Sequence, residues 1–130
     1  MIAVIFELVP ADGREQDYFA RARDLRETLE KMDGFISVER YQSLGDTGKF
    51  LSLSFWRDEA AVAAWRGLAV HRQAQAAGRA HIFKDYRLRV AAVTRDYGLE
   101  DRAAAPADSR GFHGGSAEGA GRHSDGRSVP

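Results

Sequence analysis

The residues best suited to chemistry lie in one stretch, Phe55 to His81, which holds both tryptophans and two of the four histidines. Trp65 is followed six residues later by His71. An imidazole titrates near neutral pH, so His71 is the best candidate for a general acid or base. Six residues advance about 600° around an unbroken helix, roughly 120° from the same face. The two side chains therefore meet only if the helix breaks at Gly67; a surface His71 and a core Trp65 stay open as alternatives.

Composition excludes several other kinds of site. The chain has no Cys, which removes disulfides, thiolate nucleophiles, Cys-ligated zinc and iron–sulfur clusters. The histidines have no spacing to carboxylates that is typical of a ligand set, so we predict no metal site. Glu7 lies in an otherwise apolar segment. It must face water, pair with an Arg, or occupy a cleft with a raised pKa.

Charge and hydropathy limit the partners and the location. Lys plus Arg and Asp plus Glu each number 19, which gives no electrostatic case for nucleic acid or a membrane surface. No apolar run approaches the roughly 20 residues that span a bilayer. The N-terminal apolar run is short and lacks a basic leader, so it does not read as a signal peptide. We expect a cytoplasmic protein.

Hydrophobic periodicity predicts four strands and two helical regions. Residues 2–9 are a nearly continuous apolar run, typical of a strand buried on both faces. Residues 14–32 carry one apolar helical stripe, which Gly34 follows as a left-handed cap. Residues 35–43 and 49–56 alternate around a glycine-containing turn and predict an antiparallel hairpin. Asp58 caps a helix that ends near Gly67, a second helical piece ends near Gly78, and residues 84–96 predict the last strand.

This order of elements predicts an α+β fold of the ferredoxin-like βαββαβ type, with both helices on one face of a four-stranded antiparallel sheet. The domain covers residues 1–97. Residues 98–130 are rich in Gly, Ala, Ser, Asp and Arg, and we predict a disordered tail. Because the strands are apolar on both sides, the sheet's second face needs a cover. We predict a homodimer whose two sheets pack face to face.

Three segments resemble the antibiotic biosynthesis monooxygenase family of dimeric α/β barrels. They read "GFISVERYQS", "GKFLSLSFWRDEAAVAAWRGLAVHRQAQ" and "YRLRVAAVTRDY", and the likeness covers about residues 1–97. The resemblance implies an oxygenase, working without metal, flavin or other cofactor, on a small aromatic substrate such as a phenol, quinol or polyketide. Its site would lie in a cleft between helices and sheet. The candidate lining residues are Trp65, Phe55, Phe19, Tyr41 and Tyr86, with His71, Arg72 or Arg87 for polar contacts.

The sequence departs from two branches of that family. The haem-degrading branch uses an Asn on the first strand and a His about ten residues beyond the Trp, whereas this chain has Phe6 and Glu7 on the strand and Gln75 at that spacing. Haem degradation is therefore disfavoured. The polyketide-oxidising branch uses an Asn near its Trp, and this chain has no Asn. A non-catalytic dimer that binds a small apolar ligand stays open as the alternative function.

Overall fold

A computed structural model describes residues 1–68 and 82–109, and its first unit, Met1–Ala92, is an α+β domain. The predicted ferredoxin-like fold is confirmed. One sheet has the strand order β2-β3-β1-β4, with every neighbouring pair antiparallel. The elements are β1 (Ile2–Pro10), α1 (Glu15–Glu30), β2 (Phe35–Gln42), β3 (Phe50–Trp56), α2 (Glu59–Gly67) and β4 (Phe83–Ala92).

The last strand is shorter than the sequence predicted. It ends at Ala92, which pairs with Ile2 at the start of β1. Because β4 lies at the edge of the sheet and has only β1 beside it, residues 93–96 have no strand opposite them. The alternating pattern continued to residue 96, but a strand also needs a hydrogen-bonding partner.

The sheet presents one face to the helices, and the main core lies on that face. Trp56 at the end of β3 is only 1% exposed and packs with Leu29 of α1 and Val62 of α2. A second cluster forms at the other end of the sheet around Leu8 and Tyr18. Between the two clusters the helices and the sheet leave an open space.

Hydrogen bonds connect the loop before β2 to the residue that precedes the cap of α2. Arg57 donates two side-chain hydrogen bonds to the Asp33 carboxylate, over 3.1 and 3.0 Å, and its backbone N–H donates to the Gly34 carbonyl over 2.7 Å. Asp58 accepts from the Ala61 N–H over 2.9 Å, which confirms the predicted helix cap. Gly34 has a positive φ, as predicted, with a value of 88°. It lies in the loop after α1 and is not the helix cap, because Lys31 caps α1.

A second unit begins at Val93, four residues before the predicted end of the domain, and the structure describes it as far as Ser109. Within it, Arg102 donates to the Gly98 carbonyl and to the Ser109 hydroxyl, each over 3.1 Å, and lies 5.0 Å from the centre of the Tyr97 ring. Residues 110–130 lie outside the described part. The predicted disorder of the tail stays a prediction.

Within residues 1–68 and 82–109, no helix is long and apolar enough to cross a lipid bilayer.

Candidate functional site

The space between the helices and the sheet is a cavity of about 470 Å³. Residues that pair directly across an antiparallel sheet point to the same face, so the register identifies its floor. One row of the floor runs across all four strands as Arg40, Ser52, Phe6 and Leu88. The next row is Val38, Ser54, Val4 and Val90.

The helices and the start of β4 complete the walls of the cavity. Helix α1 contributes Tyr18, Arg21, Ala22, Leu25 and Leu29, all from one side of the helix. Helix α2 contributes Val62, Trp65 and Arg66, and β4 adds Phe83 and Tyr86. Most of this surface is hydrocarbon or aromatic ring. It is therefore suited to a small, largely apolar molecule.

One group of polar residues in the cavity lies around Arg40. Its Nε donates to the Tyr18 hydroxyl oxygen over 3.3 Å, and Ser52 lies beside Arg40 in the same row of the sheet. Burial raises the pKa of the Tyr18 hydroxyl, and the nearby Arg40 charge only partly opposes that shift. Tyr18 therefore stays protonated at neutral pH and can donate a hydrogen bond.

Both tryptophans of the chain line the cavity. The buried Trp56 donates its indole N–H to the Ser54 hydroxyl over 2.9 Å, which satisfies both polar groups. Trp65 is half-buried, and its ring centre lies 6.4 Å from that of Trp56. Trp65 packs on the core and also borders the cavity, so it has both of the positions that the sequence left open.

The predicted cleft residues divide between the two faces of the sheet. Trp65 and Tyr86 border the cavity. The prediction that Phe55, Tyr41 and Arg87 share this cleft is wrong, because each alternates with a cavity residue on its own strand and points to the opposite face.

Phe19 is not among the residues that border the cavity. Its ring packs edge-on against Phe50, with centres 5.2 Å apart, and also contacts Tyr18 at 5.5 Å. Phe19 therefore packs behind Tyr18, which forms part of the cavity wall. The remaining candidates, His71 and Arg72, lie outside the described residues, and their roles stay predictions.

Sequence reasoning missed Arg40 and Tyr18. A signal for Arg40 was present: it shares the alternation of β2 with Val38, so it lies on the face that packs against the core. Tyr18 belongs to the apolar stripe predicted for residues 14–32, which indicates a core position. Its hydroxyl group would have suggested a polar role once Arg40 was placed opposite.

Glu7 belongs to the opposite face and is an ion-paired residue. Its carboxylate lies 2.8 Å from Arg89 and 3.4 Å from Lys49. The hydrogen bond from Lys49, together with the charges of both cations, lowers the pKa of Glu7. Of the three alternatives open from sequence, pairing with an Arg is the one found. Among the described residues, no cluster of three or more His, Cys, Asp or Glu could hold a metal ion.

The structure is a ferredoxin-like α+β domain with a largely apolar cavity between its helices and its sheet. A profile of the antibiotic biosynthesis monooxygenase family matches residues 1–77, and the chain belongs to that family.

The chain is also similar to a curated relative, and its fold is similar to that of solved structures. The chain is 48% identical over 94 residues to a jasmonate monooxygenase of Pyricularia oryzae, a match that covers 72% of this chain and 44% of that protein. The chain therefore spans less than half the length of this curated relative. A candidate antibiotic biosynthesis monooxygenase from Deinococcus radiodurans superposes with a TM-score of 0.68 at 15% identity, covering 76% of this chain and 98% of that one. A Mycobacterium tuberculosis protein gives 0.67 at 18% identity, covering 75% and 98%.

Proposed function

We propose that this domain is an oxygenase that binds a small, largely apolar ring compound in the cavity and transfers one oxygen atom of O₂ to it. The observation that carries the proposal is the cavity itself, which two tryptophans and apolar strand residues line together with the neighbouring polar residues Arg40, Tyr18 and Ser52. Family membership supports the reaction class. The similarity to a jasmonate monooxygenase makes jasmonate one compound to test.

A substrate with an acidic C–H or O–H group can supply the electrons for the reaction. For an activated methylene the balance is R₂CH₂ plus O₂ giving R₂C=O plus H₂O, so one oxygen atom enters the product and the other leaves as water. Loss of a proton gives an anion, which transfers an electron to O₂, and the two radicals combine to a peroxide that loses water. The same first steps apply to a phenol or hydroquinone. This route draws its electrons from the substrate and calls for no cofactor.

The protein's part is to favour the anion and to exclude water. Arg40 holds a permanent positive charge, and the neutral Tyr18 hydroxyl group can donate toward the same point. Donors fixed in an apolar site stabilise a developing oxyanion far more than they would in water. The apolar walls keep water away from the peroxide. His71 remains the predicted proton acceptor.

A second function, binding without catalysis, is favoured by one observation. Among the described residues that border the cavity there is no His, Asp or Glu, so none is an ordinary proton acceptor at neutral pH. If His71 does not reach the cavity, the domain would hold its ligand and leave it unchanged. Conversion of a bound compound to product would distinguish catalysis from binding alone.

Oxygen uptake is the experiment that tests the proposal. We expect the full chain to consume O₂ with at least one member of a panel of jasmonate, hydroquinones and aromatic ketones with acidic methylene groups. Isotopically labelled O₂ should place one labelled atom in the product. The His71→Ala variant serves as the control for the proton acceptor.

Three results would contradict the proposal. They are no uptake above the rate without protein on any compound, equal uptake by the His71→Ala variant, and uptake that needs an added reductant. The last would show that the substrate does not supply the electrons.

We also propose that a second copy of the chain covers the opposite face of the sheet. That face carries Ile5, Leu53 and Phe55, which are only half-buried in the single chain. Light scattering of the full chain should give twice its 14.4 kDa mass, and Leu53→Glu should shift the population toward monomer because it places a charge in the apolar face. A wild-type monomer at micromolar concentration would contradict this arrangement.

A further inference from the structure

We infer that the ligand of this cavity is an apolar molecule carrying a carboxylate group, and that Arg40 holds that group. This inference rests on the proposed binding site and adds the chemical class of its ligand. For such a ligand Arg40 binds the existing carboxylate, in place of the oxyanion that would form on a neutral phenol or ketone.

One row of the cavity floor changes from polar to apolar across the sheet. In the row Arg40–Ser52–Phe6–Leu88, the two polar residues lie on β2 and β3 and the two apolar residues on β1 and β4. Neighbouring strands are about 4.8 Å apart, so the row spans roughly 14 Å. A ligand lying along it would meet a cation at one end and hydrocarbon at the other.

Three arginines border the cavity, namely Arg21, Arg40 and Arg66, and no acidic residue borders it among those described. Within residues 1–68 and 82–109, no carboxylate lies within ion-pair distance of any of the three. Arg21 and Arg66 are exposed to water, whereas Arg40 is half-buried and has no carboxylate partner among the described residues, so Arg40 is the cation that an anion in the cavity would neutralise.

The chemistry of the polar end fits a carboxylate. A guanidinium presents parallel N–H donors that match the two oxygens of a carboxylate. Arg40 is half-buried and uses its Nε on Tyr18, which fixes the side chain and leaves its terminal nitrogens for a ligand. The Tyr18 hydroxyl group adds a neutral donor beside them. These donors replace the hydrogen bonds that a carboxylate loses when it leaves water. A neutral ligand would leave the Arg40 charge without a counter-charge.

Tryptophan fluorescence can report occupancy directly, because both tryptophans of the chain border the cavity. The probes are 4-cyclohexylbutanoate and its neutral primary amide, which have the same ring and nearly the same length. At pH 7 we expect the acid to bind about ten- to a hundredfold more tightly than the amide, the range typical of a charge-assisted hydrogen-bonded pair.

Arg40→Gln should remove most of this preference for the acid. Arg40→Lys should retain part of it, because Lys keeps the positive charge but lacks the two parallel N–H donors of the guanidinium. The matched control is Arg23→Gln, the same change at an exposed position of α1 outside the cavity, which should keep the preference. The acid–amide comparison on the wild-type protein needs no variant, so a folding defect in Arg40→Gln cannot mask the answer.

Equal binding of acid and amide, or no saturable binding of either below millimolar concentration, would overturn the inference. So would a preference for the acid that survives Arg40→Gln in a folded protein. Failure here is distinguishable from failure of the oxygenase proposal. If the protein binds the acid selectively but consumes no O₂, the ligand class is supported and the oxygenase proposal is contradicted. If it consumes O₂ with neutral compounds and shows no preference for the acid, the oxygenase proposal is supported and the ligand class is contradicted.

Discussion

Trp56→Ala is expected to lower the free energy of unfolding by about 3–5 kcal/mol, the usual cost of removing a large buried aromatic side chain. The indole is 1% exposed, and its ring centre lies 5.4 Å from that of Phe35. The substitution leaves a hole where β3, α1 and α2 meet and takes away the hydrogen-bond donor of the buried Ser54 hydroxyl. Urea unfolding followed by circular dichroism measures the change.

Two further variants test the cause of that loss. Trp56→Phe should cost less, since it keeps a ring and removes mainly the bond to Ser54. Trp65→Ala should also cost less, because Trp65 is half-buried and borders an open cavity. A Trp56→Ala protein within about 1 kcal/mol of wild type would contradict the packing described for this end of the sheet.

Gly34→Ala is expected to destabilise the domain by about 3 kcal/mol for two separate reasons. Its φ of 88° is a left-handed conformation that costs an L-residue roughly 1–2 kcal/mol. A Cβ at this position would also lie 2.6 Å from the Ala61 Cβ, so the loop and α2 would have to move apart, and such overpacking costs about 1–3 kcal/mol. Thermal and urea unfolding measure the sum.

Gly13→Ala separates these two causes. Gly13 has a similar φ of 75°, but a Cβ there would have nothing within 4 Å. We expect it to lose only the conformational part, about 1–2 kcal/mol. Adding Ala61→Gly to Gly34→Ala should also recover part of the loss, because it removes the atom that clashes. Equal destabilisation at Gly13 and Gly34, with no recovery in the double variant, would contradict a close approach of the loop to α2.

The sequence predicted the fold well because its signals are local and agree with one another. The hairpin of β2 and β3 followed from alternation around a glycine turn, and the start of α2 followed from Asp58. The end of β4 was overestimated because it depends on where β1 begins, which is a property of the pairing and not of the strand itself.

The candidate site was predicted only in part, for a physical reason. Alternation groups Phe55 with Leu53 and Trp56 with Ser54, but it does not decide which group faces the helices. On β1 and β3 both faces are apolar, so hydrophobicity leaves the two orientations equal. The choice made from sequence placed Phe55 in the cavity, and tertiary packing selected Trp56 instead.

The arginines illustrate a second limit of sequence reasoning. Arg21 is a charged residue at the edge of the apolar stripe of α1, three residues after Tyr18, and it borders the cavity. A long side chain can cover apolar surface while its charged end stays near water, so charge alone does not show which face a residue belongs to. Arg40 carried the clearer signal, as a cation in phase with Val38.

Oxygen uptake by two variants tests whether the reaction takes place in the cavity on the helix side of the sheet. Ser52→Phe places a ring in that cavity beside Arg40, and Ala64→Phe adds a ring at an exposed position of α2 that does not border the cavity. With a substrate that the wild type turns over, we predict that Ser52→Phe lowers the rate roughly tenfold or more because the substrate is displaced from its reacting position, while Ala64→Phe stays near wild type. A folded Ser52→Phe protein with the wild-type rate would place the reaction outside this cavity and contradict the prediction.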